Sequence, residues 1–175
     1  MKISSSQQPN VVATLCPQCS LCCNGVLFAD VRLQVGDDAQ HLASLDVALK
    51  TRGKLTRFSQ PCSCLEGKLC RIYEDRPTRC RTFECRVLQR VQAGEVTERA
   101  ALKSIQNALR RAEKVRRILR ELGDTDESVP LSRRYQRMMR QPIDLSADPR
   151  LIDLRGELMM AVAELVSVLE REFLN

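Results

Sequence analysis

The chain has 175 residues, about the size of one ordinary domain, which leaves room for a small appended module but excludes two full-sized cores. Its 43% hydrophobic and 29% charged content is that of a globular protein, yet aromatics are only 3% and Trp is absent, so large buried rings add little to any core. The net charge of +6 admits an acidic partner, while no stretch is apolar enough for a membrane span and the polar residues 1–10 lack the apolar centre of a signal peptide, so a cytoplasmic protein is expected.

All nine cysteines fall between Cys16 and Cys85, which puts the chemistry in the first half. The β-branched and alternating residues 25–35 predict a strand ended by Gly36 and the Asp37–Asp38 pair, and residues 54–58 a second short extended piece. From Thr97 the period becomes helical. Leu102, Ile105, Leu109, Ala112, Val115, Leu119 and Leu122 recur at three- and four-residue steps up to a stop at Gly123. Residues 124–130 form a polar linker, and Ser132 is expected to cap a short helix through Met139 that ends before Pro142. Asp148 caps a last helix with Pro149 in its first turn, reaching about Phe173. Its stripe is Leu151, Leu154, Leu158, Ala161, Val162, Leu165, Val168 and Leu169. The fold class expected is α+β and mostly helical. A small irregular cysteine-rich metal-binding module with short strands (residues 11–94) precedes a C-terminal helical hairpin (95–175) packed on it.

In a reducing cytosol a cysteine-dense segment is a ligand set rather than a set of bridges, and an odd count with Cys22 beside Cys23 fits complete disulfide pairing badly. The first cluster, CPQCSLCC, supplies Cys16, Cys19, Cys22 and Cys23. Three-residue steps can turn several sulfurs to one centre, as iron–sulfur loops do, and paired C-x-x-C steps serve tetrahedral zinc equally well. Neighbours in extended backbone point to opposite sides, so Cys22 and Cys23 can serve different centres. The second cluster supplies Cys62, Cys64, Cys70, Cys80 and Cys85, enough to complete two four-thiolate sites with one sulfur left over. Glu66–Gly67 allows a tight turn between Cys64 and Cys70, and Pro77 fixes the backbone leading into Cys80. Arg71, Arg76, Arg79, Arg81 and Arg86 lie among the cysteines, where they can offset thiolate charge and donate to sulfur.

The ordered pattern C-x-x-C-x-x-C-C, then P-C-x-x-L, then C-R-I-Y-x-x-R-P-x-x-C-R-x-F-x-C resembles the YkgJ-type cysteine-cluster family, described as zinc- or iron-chelating, from Leu15 to about Gly94. The resemblance implies that Cys16, Cys19, Cys22, Cys23, Cys62, Cys70, Cys80 and Cys85 ligate metal, as zinc or as an iron–sulfur cluster, and that a redox or oxidoreductase role is open. Cys64 stands where that family usually has an apolar residue and ranks as a spare or conditional ligand.

Tyr73 is expected to pack beneath the site, and His41, the lone histidine, to sit at the surface in its polar stretch. The basic run 110–120 has no aromatic stacking platform, so it reads as a solvated face and nucleic acid as a poor partner. Two functional classes remain. One is a metal-binding protein with a metal-handling or redox role; the other is a metal-stabilised adaptor whose basic C-terminal helices bind a protein or nucleic-acid partner.

Overall fold

The computed structural model describes residues 11–142 and 148–174; the polar N-terminal stretch 1–10 lies outside the described residues. The element order is α1 (Val11–Cys19), β1 (Asp30–Arg32), α2 (Ala39–Ser44), β2 (Leu49–Arg52), β3 (Leu55–Ser59), β4 (Leu65–Glu66), β5 (Leu69–Cys70), α3 (Thr78–Thr82), α4 (Arg86–Gln92), α5 (Glu98–Glu121), α6 (Leu131–Arg140) and α7 (Pro149–Glu172). The protein is mostly helical α+β, with short antiparallel strands confined to the first half. Among the described residues no helix is long and apolar enough to cross a membrane.

The two long helices begin where their caps place them. The Thr97 hydroxyl accepts from the Ala100 amide at 3.2 Å, and the Asp148 carboxylate accepts from the Arg150 amide at 2.9 Å with Pro149 in the first turn. The buried stripe of α5 (Ala101, Ile105, Ala108, Ala112, Val115, Ile118 and Leu119) meets that of α7 (Leu154, Leu158, Ala161, Leu165, Val168 and Leu169). Alanines on the α5 side let the two axes approach closely. Leu15 and Leu21 from the first cysteine cluster, Val87 and Leu88 from α4, and Phe173 join the same core. The helices are therefore packed through the cysteine-bearing N-terminus and not merely beside it.

A buried ion pair closes this bundle at the far end. Arg134, 1% exposed, donates from Nε to Asp124 Oδ1 at 2.9 Å and from Nη2 to the Asp124 carbonyl at 2.7 Å, while Arg137 Nη2 takes Asp124 Oδ2 at 2.7 Å. This fixes α6 against the end of α5. The short helix starts at Leu131 with Pro130 as its N-cap, so the cap expected at Ser132 is wrong, and Ser132 lies inside the helix.

The strand-bearing lobe holds a three-stranded antiparallel sheet in the order β1-β3-β2, with Phe58 opposite both Val31 and Leu49. Its own small core consists of Val31, Leu42, Val47, Phe58, Cys64 and Ile72. The strand expected over 25–35 is cut to Asp30–Arg32. Gly25 turns the chain at φ +77°, and Val26 is drawn into the helical core, so part of the apolar content is used for packing instead of pairing. The expected piece at 54–58 appears as β3. A tight β4–β5 hairpin pairs Leu65 with Cys70 across Gly67, at φ +61°, which is the turn expected there.

Candidate metal centre

The first cysteine cluster is built on a helix, which sequence reading missed because Pro17 argues against one. Three residues apart on α1, Cys16 and Cys19 share a face. The helix ends at Ser20, whose φ of 52° reverses the chain, and the amides of Cys23 and Asn24 close on the Ser20 carbonyl at 2.8 and 2.9 Å. Fully buried Leu21 pins this turn into the helical core. Cys22 and Cys23 thus lie within a turn and not on the extended backbone expected, and Cys16 acts on both.

The second cluster is tied to the first through backbone. The Cys62 amide donates to the Cys23 carbonyl at 2.9 Å. The β4–β5 hairpin returns the chain to Cys70, and α3 carries Cys80. Asp37, read from sequence only as part of a strand terminator, anchors α3. Its Oδ1 accepts from the Thr78 amide at 2.8 Å and from the Thr78 hydroxyl at 2.7 Å. Cys85 precedes α4 and packs, with Cys19, against the helical core, whereas Cys62, Cys70 and Cys80 pack against the small core.

All nine cysteines are free. Burial pushes Cys19, Cys62 and Cys80 up to about 12 and Cys23 up to about 11, and drives Cys22 well above the ordinary thiol value. Behind burial, the thiols raise one another in two sets. Cys85 and Cys16 both act on Cys19 and on Cys22, and Cys85 acts on Cys16. Cys23, Cys62 and Cys70 all act on Cys80; Cys23 and Cys70 act on Cys62; and Cys70 acts on Cys23. The sets overlap at Cys23, which acts on Cys19 and Cys22 and itself feels Cys16, and Cys64 acts on Cys62 and Cys70 from the small core.

Opposing influences come from backbone amides and one arginine. The Leu21 amide favours thiolate at Cys19, that of Ile72 at Cys70, and those of Leu88 and Val87 at Cys85. The Cys64 amide donates to Cys62 Sγ at 3.4 Å. The Arg76 guanidinium stacks 3.6 Å over the Tyr73 ring, its Nε donates to the Tyr73 carbonyl at 2.7 Å, and its charge lowers Cys16 and Cys23 in different sets as well as Cys70 and Cys80. Tyr73 itself, 40% exposed, lines the cavity beside the thiols and carries Arg76 on its ring.

Seven of the eight family-pattern cysteines, all but Cys62, line one cavity of about 420 Å³, together with Arg76, Arg79 and Arg81. Of the other two arginines expected around sulfur, Arg71 reaches Cys64 Sγ at 3.8 Å and the Leu45 carbonyl at 3.0 Å, and Arg86 turns away to the Arg171 carbonyl at 3.4 Å. Cys64 is fully buried, directs its Sγ to the Leu45 carbonyl at 3.5 Å, and stays off the cavity wall. His41 lies outside the site, half-exposed, with Nε2 3.0 Å from Asp75 Oδ1. Among the described residues, no three Cys, His, Asp or Glu side chains already stand as a set able to hold a metal ion. The thiols are gathered into neighbourhoods but not closed on a centre. A soft, sulfur-only donor set, partly freed of water and supplied with amide and arginine counter-charge, suits zinc or iron–sulfur chemistry rather than a hard oxygen-seeking cation.

The fold and site define a thiol-rich domain with an attached helical bundle. The family model described as CxxCxxCC, "Putative zinc- or iron-chelating domain", matches residues 15–108, and the chain belongs to that family. The matched span carries every cysteine and ends within α5. No curated protein matches the chain, and no solved structure does.

Proposed function

We propose that the protein holds two metal centres, one through Cys16, Cys19, Cys22 and Cys85 and the other through Cys23, Cys62, Cys70 and Cys80. The observation that carries this reading is that Cys85 and Cys16 act on Cys19 and Cys22, whereas Cys23, Cys62 and Cys70 act on Cys80, with Cys23 the thiol that touches both groups. Bound metal supplies the positive charge that repays the burial of four thiolates, and in doing so ties the first cluster to the second. Cys64 is a core residue in this reading.

Zinc in a four-thiolate shell leaves no open coordination position, so a zinc-loaded protein would use its centres to hold the cysteine lobe in shape. A second reading, an iron–sulfur protein that transfers electrons, is supported by the cavity shared by seven cysteines and by the amides and Arg76 that bias its sulfurs, since such groups set cluster potential.

The test is metal and labile-sulfide content with an absorption spectrum on protein prepared without oxygen. Two zinc per chain without colour supports two closed centres, and iron with sulfide and absorption near about 400 nm supports the cluster reading. Cys19→Ser and Cys80→Ser are each expected to remove one centre of the two, and Cys64→Ser neither. Full loading in both Cys19→Ser and Cys80→Ser would sink the assignment.

A further inference from the structure

The helix α7 is apolar on more than the side it buries. Its outward face carries Ile152, Gly156, Met159, Ala163 and Val166 over four turns, and the exposed Glu170 continues that line at its C-terminal end. Met159, Met160 and Val166 are 50%, 65% and 42% exposed. A surface helix of a monomer ordinarily turns charged and polar residues outward here. The other long helix does so: α5 exposes Arg110, Glu113, Lys114, Arg117 and Glu121 opposite its core stripe.

Charge on the flank of the same face says what covers it. Asp153 and Arg171 are 18 residues apart, five full turns at 3.6 residues per turn, so they project from one flank about 27 Å apart along the axis. Asp153 makes no ion pair or hydrogen bond among the described residues, and Arg171, 62% exposed, meets only its neighbour Glu172 on the acidic side. A copy of α7 laid antiparallel, with the two-fold axis passing near Val162, sets each Asp153 opposite the other chain's Arg171. In a parallel copy Asp153 and the other chain's Arg171 stay about 27 Å apart along the axis and cannot pair. In the antiparallel register Met159 meets Ala163 and Val166 of the second chain, and Gly156 leaves room for Val166, so large side chains face small ones.

We propose that the outward face of α7 is a self-association surface on which a second copy of this chain packs its own α7 antiparallel, held by the Gly156–Met159–Ala163–Val166 stripe and locked in register by two Asp153–Arg171 ion pairs. The surface is isologous, as a closed two-fold dimer requires. It faces away from the α5 side of the bundle.

The test is the mass in solution of the full metal-loaded chain, by light scattering or sedimentation over a wide concentration range. The expected mass is about twice the 19.9 kDa of one chain. Ala163→Arg, placed at the centre of the contact, should weaken association by at least about tenfold with metal content and helix content unchanged. Asp153→Arg and Arg171→Asp should each weaken it, and the double exchange Asp153→Arg with Arg171→Asp should restore it. Both of these side chains are exposed, so that pair of variants remains informative if Ala163→Arg fails to fold. A single-chain mass at every concentration overturns the proposal and leaves the stripe to a partner of other sequence. So does a dimer indifferent to Ala163→Arg. Failure of the double exchange to restore association overturns the antiparallel register.

Discussion

Among the described residues the helical core gathers 21 buried side chains from α1, α4, α5, α6, α7 and the turns between them, whereas the strand-bearing lobe gathers six, of which Cys64 is one. Both lobes carry part of the thiol site, Cys19 and Cys85 against the large core and Cys62, Cys70 and Cys80 against the small one. The difference concerns where cohesion comes from. A long amphipathic helix pair excludes water over a continuous seam and stands on that burial. A three-stranded sheet with strands of three to five residues and a six-residue core has little to stand on, and on the proposed reading metal–thiolate bonds would supply the remaining folding free energy.

Breaking the helical side should cost most in ordinary stability. Asp124→Ala strips both Arg134 and Arg137 of their shared carboxylate and leaves buried Arg134 with only Glu127 Oε1, 4.0 Å away, as an acidic partner; a loss of about 3–5 kcal/mol is expected, read by urea unfolding, with metal content unchanged. A loss below about 1 kcal/mol would mean that the buried pair is solvated in solution.

The seam between the lobes is the next place to press. A Cβ at Gly25 would stand 3.1 Å from Pro61 Cδ and 3.2 Å from the Pro130 Cα, joining the approach to Cys62 with the start of α6, at a φ that disfavours any side chain. Gly25→Ala should cost about 1–3 kcal/mol, and in urea it should uncouple the two lobes into separate transitions.

The smallest effect near neutrality, and the one whose sign separates metal-free from loaded protein, is that of pH. In the metal-free protein Cys19, Cys62 and Cys80 are held up to about 12 by burial, so the unfolded chain gives up these protons first as pH rises. Their contribution is whole below the ordinary thiol value of 9.0 and is lost as pH climbs from there toward about 12. The loaded protein should do the opposite at the acid side, because each ligand must lose a proton to bind and metal is released as pH falls. Unfolding of chelator-treated and loaded protein across pH, monitored by circular dichroism, checks both signs.

Much of this contrast was legible in the sequence. The three- and four-residue period from Leu102 to Leu122, Thr97, Gly123 and the Asp148–Pro149 start define helices that the structure contains with nearly the same ends. The Glu66–Gly67 turn and the residues of β3 were equally plain. What escaped is local structure set by tertiary contact. The α1 helix carries Pro17 in its interior, and its burial of Leu15 against α5 decides the matter over propensity. Residues 25–29 have strand-like composition but turn at Gly25 because Pro61 and Pro130 press against it. Among the site residues, spacing brought the eight cysteines to attention but could not partition them, because Cys85 returns to α1 only through the packing of α4. Asp37 carries no motif at all, and only the position of Thr78 shows its use.

Hydrogen exchange on the full chain, with metal bound and after removal by chelator, tests the central contrast most directly. Protection of amides in β1 to β5 and α3 should fall sharply when metal leaves, while that of α5 and α7 changes little. Unchanged protection through the strand-bearing lobe, or loss of equal size in α5 and α7, would contradict the account that metal–thiolate bonds hold one lobe and apolar burial the other.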